Sequence, residues 1–185
     1  MAKKNPLPDR RDIILAAAVA TLREVGYSGF TQPRVAKRAE VRQSHLTYYF
    51  PTRLALLEAV ARIVVESQLA LLDESLQVSS LQAAIKAIAS VVARPENTRV
   101  LMALAQAADE ESSLSHVFRD LADGVALRIV RLCEKLDIEA APEQVSLIHA
   151  VAVGLAVINL ATQQPNPKTR VEAILAFAFN SVLNA

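Results

Sequence analysis

The chain has 185 residues, of which 52% are hydrophobic and 21% charged, with four glycines, one cysteine and no tryptophan. This length allows one large or two small domains, and the apolar content is ample for a core. The dominance of alanine and leucine favours helix over strand. The single cysteine, Cys133, excludes an internal disulfide and fits a reducing cytoplasm. Because it lies in an apolar helix pattern, we interpret it as a buried, inert thiol.

The formal net charge of +1 conceals an uneven distribution along the chain. Residues 1–53 carry ten Lys and Arg against four Asp and Glu, a formal charge of +6, whereas residues 54–185 carry −5. A basic segment suits contact with phosphates, whose affinity falls steeply with salt as counterions are released. The acidic residues 54–185 would repel DNA, so we expect this part of the chain to have a function other than DNA binding.

The first twelve residues are basic, and no apolar segment of the secretory type follows them. We interpret them as a short disordered arm, with phosphate or minor-groove contact through Lys3 and Lys4 as the second interpretation. The first predicted helix is capped by Asp9 with Asp12 and ends at Gly26 in a left-handed C-terminal cap. Its inward face is predicted to be Ile13, Ile14, Ala17, Thr21, Leu22 and Val25.

The second predicted helix follows Thr31, whose hydroxyl can accept a hydrogen bond from an early backbone N–H. Pro33 is tolerated in the first turn, where its missing donor is not needed. Val35, Ala36 and Ala39 form a small-residue face that another helix can cross closely. Lys37 and Arg38 are interpreted as solvating this helix.

A third helix is predicted from about Gln43 to Phe50, after a break at residues 40–42. Leu46, Tyr49 and Phe50 lie on its inner side, and the two aromatic residues are interpreted first as packing residues. The outer side carries groups that reach base edges and phosphates, since Gln pairs with adenine and Tyr contacts backbone oxygens. It consists of Gln43, Ser44, His45, Thr47 and Tyr48. His45 has two interpretations, a solvated surface histidine or a DNA contact. This layout is that of a helix-turn-helix.

Six further helices are predicted, which makes a helix bundle the economical architecture. Their predicted ranges are 52–76, 79–93, 95–108, 112–136, 142–162 and 167–183. The fifth of these is apolar on almost every side and must be covered all round. It is short for a membrane span and contains His149 and Asn159, so we favour packing over a span. One face would pack in the subunit core while the other, with the last helix, meets a second subunit.

The N-terminal residues resemble the DNA-binding domain of the TetR family of transcriptional repressors. The matching positions are Ile14, Ala17, Ala18, Glu24, Gly26, Tyr27, Thr31, Val35, Ala36, Ala39, Val41, Leu46, Tyr49, Phe50, Leu56 and Leu57. The chain departs from the family's usual residues at four of its positions. Glu40 replaces Gly in the turn, Arg42 replaces the Ser before the third helix, Thr47 replaces Tyr, and Arg53 replaces Lys. Arg53 keeps the charge that would clamp a phosphate.

The resemblance implies an all-α fold with two domains. Residues 1–52 would form a three-helix DNA-binding domain with a helix-turn-helix, and residues 53–185 a helical ligand-binding and dimerisation domain. The predicted DNA-binding residues are Thr31, Gln32, Arg34, Arg42, Gln43, Ser44, His45, Thr47, Tyr48, Tyr49 and Arg53. The predicted dimer interface is Leu155, Ile158, Val171, Ile174, Leu175, Ala178 and Val182. The predicted lining of a small-molecule site is Met102, Gln106, Phe118, Leu121, Val125, His149 and Asn159.

The predicted function is that of a cytoplasmic, sequence-specific transcriptional regulator, a repressor that binds a palindromic operator as a homodimer under control of a small-molecule effector. The sequence identifies neither operator nor effector, and leaves open whether the effector releases or promotes DNA binding. The alternative is a helical ligand-binding or scaffold protein whose head binds DNA without specificity, an interpretation favoured by Glu40 and Arg42. No histidine spacing, cysteine pair or glycine-rich loop indicates an enzyme, a metal site or a cofactor.

Overall fold

The computed structural model describes residues 9–163 and 165–183, except for the side chains of Ser75, Val182 and Leu183. This part of the chain is helical and contains no strand, which confirms the predicted all-α class. A 3-10 turn, Ser112–Leu114, precedes α7. The α-helices are α1 Arg10–Gly29, α2 Gln32–Arg38, α3 Gln43–Tyr49, α4 Arg53–Ser75, α5 Leu81–Val92, α6 Pro95–Glu110, α7 Ser115–Lys135, α8 Pro142–Thr162 and α9 Pro167–Leu183.

The described residues form two compact units whose boundary differs from the predicted division after residue 52. The N-terminal unit runs from the first described residue to Val64 and includes Val100–Ser115. The C-terminal unit consists of Val65–Arg99 and the chain from His116 onwards. The first turns of α4 belong to the N-terminal unit because they carry side chains of its core. These are Leu56, Leu57, Val60 and Ala61, each almost completely buried.

In the N-terminal unit α1 packs on α2 and α2 packs on α3. The Asp9 carboxylate accepts a hydrogen bond from the Arg11 backbone N–H at 3.5 Å, as expected of an N-cap. Gly26 has φ +67° and ψ −172°, so its φ is positive as predicted, but its ψ lies outside the left-handed helical region. Ile13 was predicted to face inward, which is wrong, since it is 38% exposed while Ile14 is fully buried.

In the C-terminal unit α5 packs on α8 and α9, and α8 packs on α9. The core of this unit includes Ile85, Ile88, Ile129, Leu132, Cys133, Val145, Ile148, Leu155, Val171, Leu175 and Phe179. Burial raises the pKa of the Cys133 thiol, which agrees with an inert cysteine.

The second half of α4 approaches α7 closely at Gly124. A Cβ atom added there would lie 2.7 Å from a methyl group of Leu69, so a larger residue at this position would require the Leu69 side chain to move. One turn further on, Arg128 donates hydrogen bonds to the carbonyls of Leu69 (3.1 Å) and Gly124 (3.0 Å) and forms an ion pair with Asp73. These contacts attach α7 to this half of α4.

Among the described helices, α8 alone is long and apolar enough to cross a membrane by length and composition. The core helix of a soluble protein meets the same criterion. The apolar side chains of α8 divide into two sets. Val145, Ile148 and Leu155 are buried in the unit, whereas Leu147, Val153 and Ile158 are 43–51% exposed.

Candidate nucleic-acid interface

The third helix presents its polar side to solvent and anchors its apolar side in the N-terminal unit. Leu46 is fully buried and Phe50, the C-cap, is 3% exposed. On the opposite side Gln43, Ser44 and His45 are exposed, and Tyr48 is 80% exposed. A short helix held by one apolar face and carrying donors and acceptors on the other has the layout of a recognition helix.

Thr47 and Tyr49, both predicted to contact DNA, are only partly exposed. The Thr47 hydroxyl lies within hydrogen-bond distance of the carbonyls of Gln43 (3.1 Å) and Ser44 (3.2 Å), so its donor is used within the helix. The ring of Tyr49 packs edge-to-face against Tyr48 with centroids 5.2 Å apart. Tyr49 therefore supports Tyr48, which projects furthest from the helix.

The turn between α2 and α3 keeps its geometry although Glu40 replaces the glycine usual in the family. Glu40 has φ +55°, in the left-handed region that favours glycine. The Glu40 N–H donates to the Lys37 carbonyl at 3.3 Å, and the Val41 N–H donates to the Ala36 carbonyl at 3.0 Å. This pair of bonds is the Schellman motif, with Glu40 at the position after the C-cap.

We expect Glu40→Gly to stabilise the protein by about 0.5–1 kcal/mol, because glycine adopts this φ without the steric cost of a Cβ atom. Glu40→Ala is the matched control, since it removes the same carboxylate and keeps the Cβ atom. Urea unfolding of both variants measures the difference. An Ala variant as stable as the Gly variant would contradict the assignment of strain to this turn.

Neither α2 nor α3 has a side-chain cap at its N-terminus. Thr31 has extended backbone angles but its hydroxyl makes no capping hydrogen bond, so the predicted Thr31 side-chain cap is wrong. The N-cap of α3 is Arg42, which likewise makes no capping hydrogen bond. Both side chains are exposed, and both remain candidates for phosphate contact.

Three polar residues around the helix-turn-helix form hydrogen bonds or ion pairs within the N-terminal unit. The Gln32 amide donates to the Phe50 carbonyl at 2.7 Å, and Arg34 donates to the Gly29 carbonyl at 2.9 Å while remaining exposed. Arg38 forms an ion pair with Glu24 at 2.5 Å, so it does more than solvate α2. Of the two predicted DNA contacts in this group, Arg34 is exposed and Gln32 is half-buried.

Arg53 was predicted to contact a phosphate, but its guanidinium makes three hydrogen bonds within the N-terminal unit. Its guanidinium donates to the Phe30 carbonyl (3.0 Å), the Tyr27 carbonyl (2.9 Å) and the Tyr27 hydroxyl (3.1 Å). It also lies over the Tyr27 ring, 4.2 Å from the centroid. We therefore assign Arg53 to holding α4 against the C-terminal end of α1.

The family model described as "Bacterial regulatory proteins, tetR family" matches residues 14–60. This range covers α2 and α3 completely, together with most of α1 and the start of α4. Over these residues the chain is similar to the TetR family. Proteins of that family are DNA-binding transcriptional regulators. No curated protein matches the chain.

Solved structures share the fold over nearly the whole length. A transcriptional regulator from Rhodococcus sp. Rha1 is 23% identical, with a TM-score of 0.83 over 94% of this chain and 96% of that one. A member of the TetR family from Streptomyces coelicolor A3 is 23% identical, with a TM-score of 0.74 over 92% and 98%. The multidrug binding protein EbrR, solved in complex with imidazole, is 23% identical, with a TM-score of 0.70 over 93% and 96%. At 23% identity the similarity to these structures shows a shared fold alone.

The predicted dimer interface needs correction in α8 and α9. Leu155, Val171, Leu175 and Ala178 are 0–8% exposed, so they pack in the subunit core and offer a partner little surface. Ile158 is 43% exposed and Ile174 is half-buried. The side chain of Val182 lies outside the described residues, as do Lys3 and Lys4. Among the described side chains of α9, the most exposed large apolar one is Phe177 at 72%, which the prediction missed.

The residues predicted to line a small-molecule site are not brought together as one set. Met102 and Gln106 are exposed, Phe118, Leu121 and Val125 are half-buried, and Asn159 alone lines a cavity described below. His149 is half-buried, and burial lowers the pKa of its imidazole. Among the described residues no group of three or more His, Cys, Asp or Glu is placed to hold a metal ion.

Proposed function

We propose that this protein is a cytoplasmic transcriptional repressor of the TetR family that binds a palindromic operator as a homodimer and is controlled by a small-molecule effector. It acts by binding, without enzymatic activity, cofactor or metal. The observation that carries the proposal is the outward face of α3, where Gln43, His45 and Tyr48 project from a helix anchored by Leu46. On this face Gln43 suits adenine, while Tyr48 and Arg42 suit phosphate oxygens.

The exposed face of α8 and α9 supports dimerisation. At 100° per residue, Leu147, Gly154 and Ile158 fall within about 40° of one another on α8. Apart from the backbone of α8 itself and the two neighbouring residues, no described atom lies within 4 Å of a Cβ built on Gly154, so the space beside it is open to a partner helix. Phe177 supplies the corresponding apolar group on α9. Two copies joined through these faces would make a four-helix bundle and set two α3 helices on half-sites about 34–36 Å apart.

The control by an effector is supported by the relative EbrR, a multidrug binding protein solved with imidazole and, in a second structure, with proflavin. A ligand changes DNA binding only if it has different affinities for the two conformations of the dimer. The half-buried, apolar surroundings of α8 favour an apolar or amphipathic effector.

The turn at Glu40 also bears on the alternative, a scaffold with a degenerate DNA-binding head. A replaced glycine favours that alternative only if the turn distorts. Since Glu40 takes a positive φ and both Schellman hydrogen bonds form, α3 keeps its expected direction after α2. We therefore favour specific reading of DNA.

The proposal is tested by selecting an operator from random duplex DNA and measuring its affinity for the protein. We expect Tyr48→Ala to weaken operator binding by removing a phosphate contact. We expect Gln43→Ala to weaken it about 10-fold or more, since one good base contact contributes about 1–3 kcal/mol. Binding to unrelated duplexes should change far less, because it depends on charge. Gln82→Ala, an exposed glutamine of the C-terminal unit, is the matched control and should bind as the wild type does. Selection that enriches no sequence would contradict the proposal.

A further inference from the structure

The C-terminal unit contains a cavity of about 280 Å³ where α5 ends, α6 and α9 begin and α8 ends. Its apolar lining includes Val92, Pro95, Leu160 and Pro167. The α8 residues that line it, Ala156 among them, lie on the side of the helix opposite the stripe of Leu147, Gly154 and Ile158. The cavity is therefore distinct from the proposed dimer face, although α8 carries both.

Three polar residues line the cavity, Arg99, Asn159 and Gln163. Among the described residues of the lining, Arg99 is the single charged one and none is acidic; Arg99 is exposed at the mouth of the cavity. Asn159 also lines it, and both polar atoms of its amide are shielded from water without a hydrogen-bond partner. A shielded amide that makes no hydrogen bond is costly, and a rotation of the Asn159 side chain toward the cavity would let a bound polar group pair with it. The lining thus combines an apolar wall, one cation, one unsatisfied amide and the Gln163 side chain.

We propose that this cavity binds a small amphipathic carboxylate, with its apolar chain against Val92 and Leu160 and its carboxylate paired with Arg99. A cationic ligand would face Arg99 with no compensating acid, and a purely apolar ligand would leave the Asn159 amide unpaired. The inference deepens the effector part of the proposed function. Because residues of both α8 and α9 line the cavity, a bound carboxylate would contact, and so stabilise the packing of, the two helices that carry the proposed dimer face.

The test measures binding of octanoate to the full-length protein by isothermal titration calorimetry, in the absence of DNA. Octanamide has nearly the same chain without the charge, and acetate has the charge without the chain. We expect octanoate to bind more tightly than either of them. Arg99→Gln should weaken octanoate about tenfold and leave octanamide unchanged, because it removes a charge-assisted contact. Arg94→Gln, which removes a neighbouring arginine outside the lining, is the control and should bind as the wild type does.

A second measurement locates the bound molecule. Methyl NMR should show octanoate-dependent shifts at Val92 and Leu160, and Ala156→Leu, which narrows the cavity, should abolish them. Octanoate that fails to bind, or that binds equally well to Arg99→Gln, overturns the inference. Operator binding by the same preparation is assayed separately. A protein that binds its operator but not octanoate would contradict the inferred carboxylate site and leave the repressor function standing. A protein that binds octanoate but no operator would contradict the repressor function instead.

Discussion

Phe177→Asp is expected to convert the proposed dimer into monomers at micromolar concentration and to weaken operator binding about 100-fold, because two linked readers bind far more tightly than one. The side chain is 72% exposed in the subunit, so its replacement removes no contact within the described core. A carboxylate at this position would instead be buried without a partner between two copies. Analytical ultracentrifugation at about 10 µM measures the oligomeric state, with titration of the selected operator as the second measurement.

Leu127→Asp is the control for this variant. Leu127 is an exposed leucine of α7 (46%), outside the α8 and α9 face, so the same change of chemistry should leave both dimer and operator affinity intact. A Phe177→Asp protein that stays dimeric, or a wild type that is monomeric at this concentration, would refute the assigned interface.

Arg53→Ala is expected to lower the free energy of unfolding by about 2–4 kcal/mol, because it leaves the carbonyls of Tyr27 and Phe30 without their guanidinium donor. It also removes the cation–π contact with Tyr27. Arg53→Lys should fall between wild type and Arg53→Ala, since one ammonium group cannot reproduce the planar fork. Urea unfolding monitored by circular dichroism gives the three values.

Arg42→Ala provides the comparison for this second prediction. Arg42 is exposed and makes no capping hydrogen bond, so its loss should change stability by less than about 0.5 kcal/mol. It should nevertheless reduce operator affinity and the salt dependence of binding, as loss of one phosphate contact does. If Arg53→Ala unfolds like the wild type but loses DNA affinity as Arg42→Ala does, Arg53 is a phosphate contact after all.

Local signals in the sequence were sufficient to place the helices. Prolines begin α6, α8 and α9, as their position in the first turn of a helix predicts. Ser80 caps α5 by accepting from the Ala83 N–H at 3.3 Å. The outward set on α3 was also predictable, because Leu46 and Phe50 are apolar and their neighbours on the other side are polar. Wherever a helix has apolar residues on one side and polar residues on the other, the positions of the apolar residues along the sequence predict its buried face.

The buried face of α9 was not predictable in this way, because apolar residues occupy both of its sides. Val171, Leu175 and Phe179 face the core while Phe177 faces outward, and the sequence shows no difference in polarity between them. The role of Arg53 was equally hidden, since its acceptors on Tyr27 and Phe30 lie 23–26 residues away and meet it only through folding.

The helical class, most of the helix ends and the outward face of α3 all arise from interactions within a few residues, namely caps, prolines and amphipathic spacing, and these are visible in the amino-acid order itself. Distant parts of the chain decide which apolar side of α8 and α9 packs inward and which arginine forms hydrogen bonds within its own unit. They also bring Val92, Arg99 and Asn159 together at one cavity. Side-chain burial and long-range hydrogen bonding depend on the packed neighbours, so only the tertiary structure decides them.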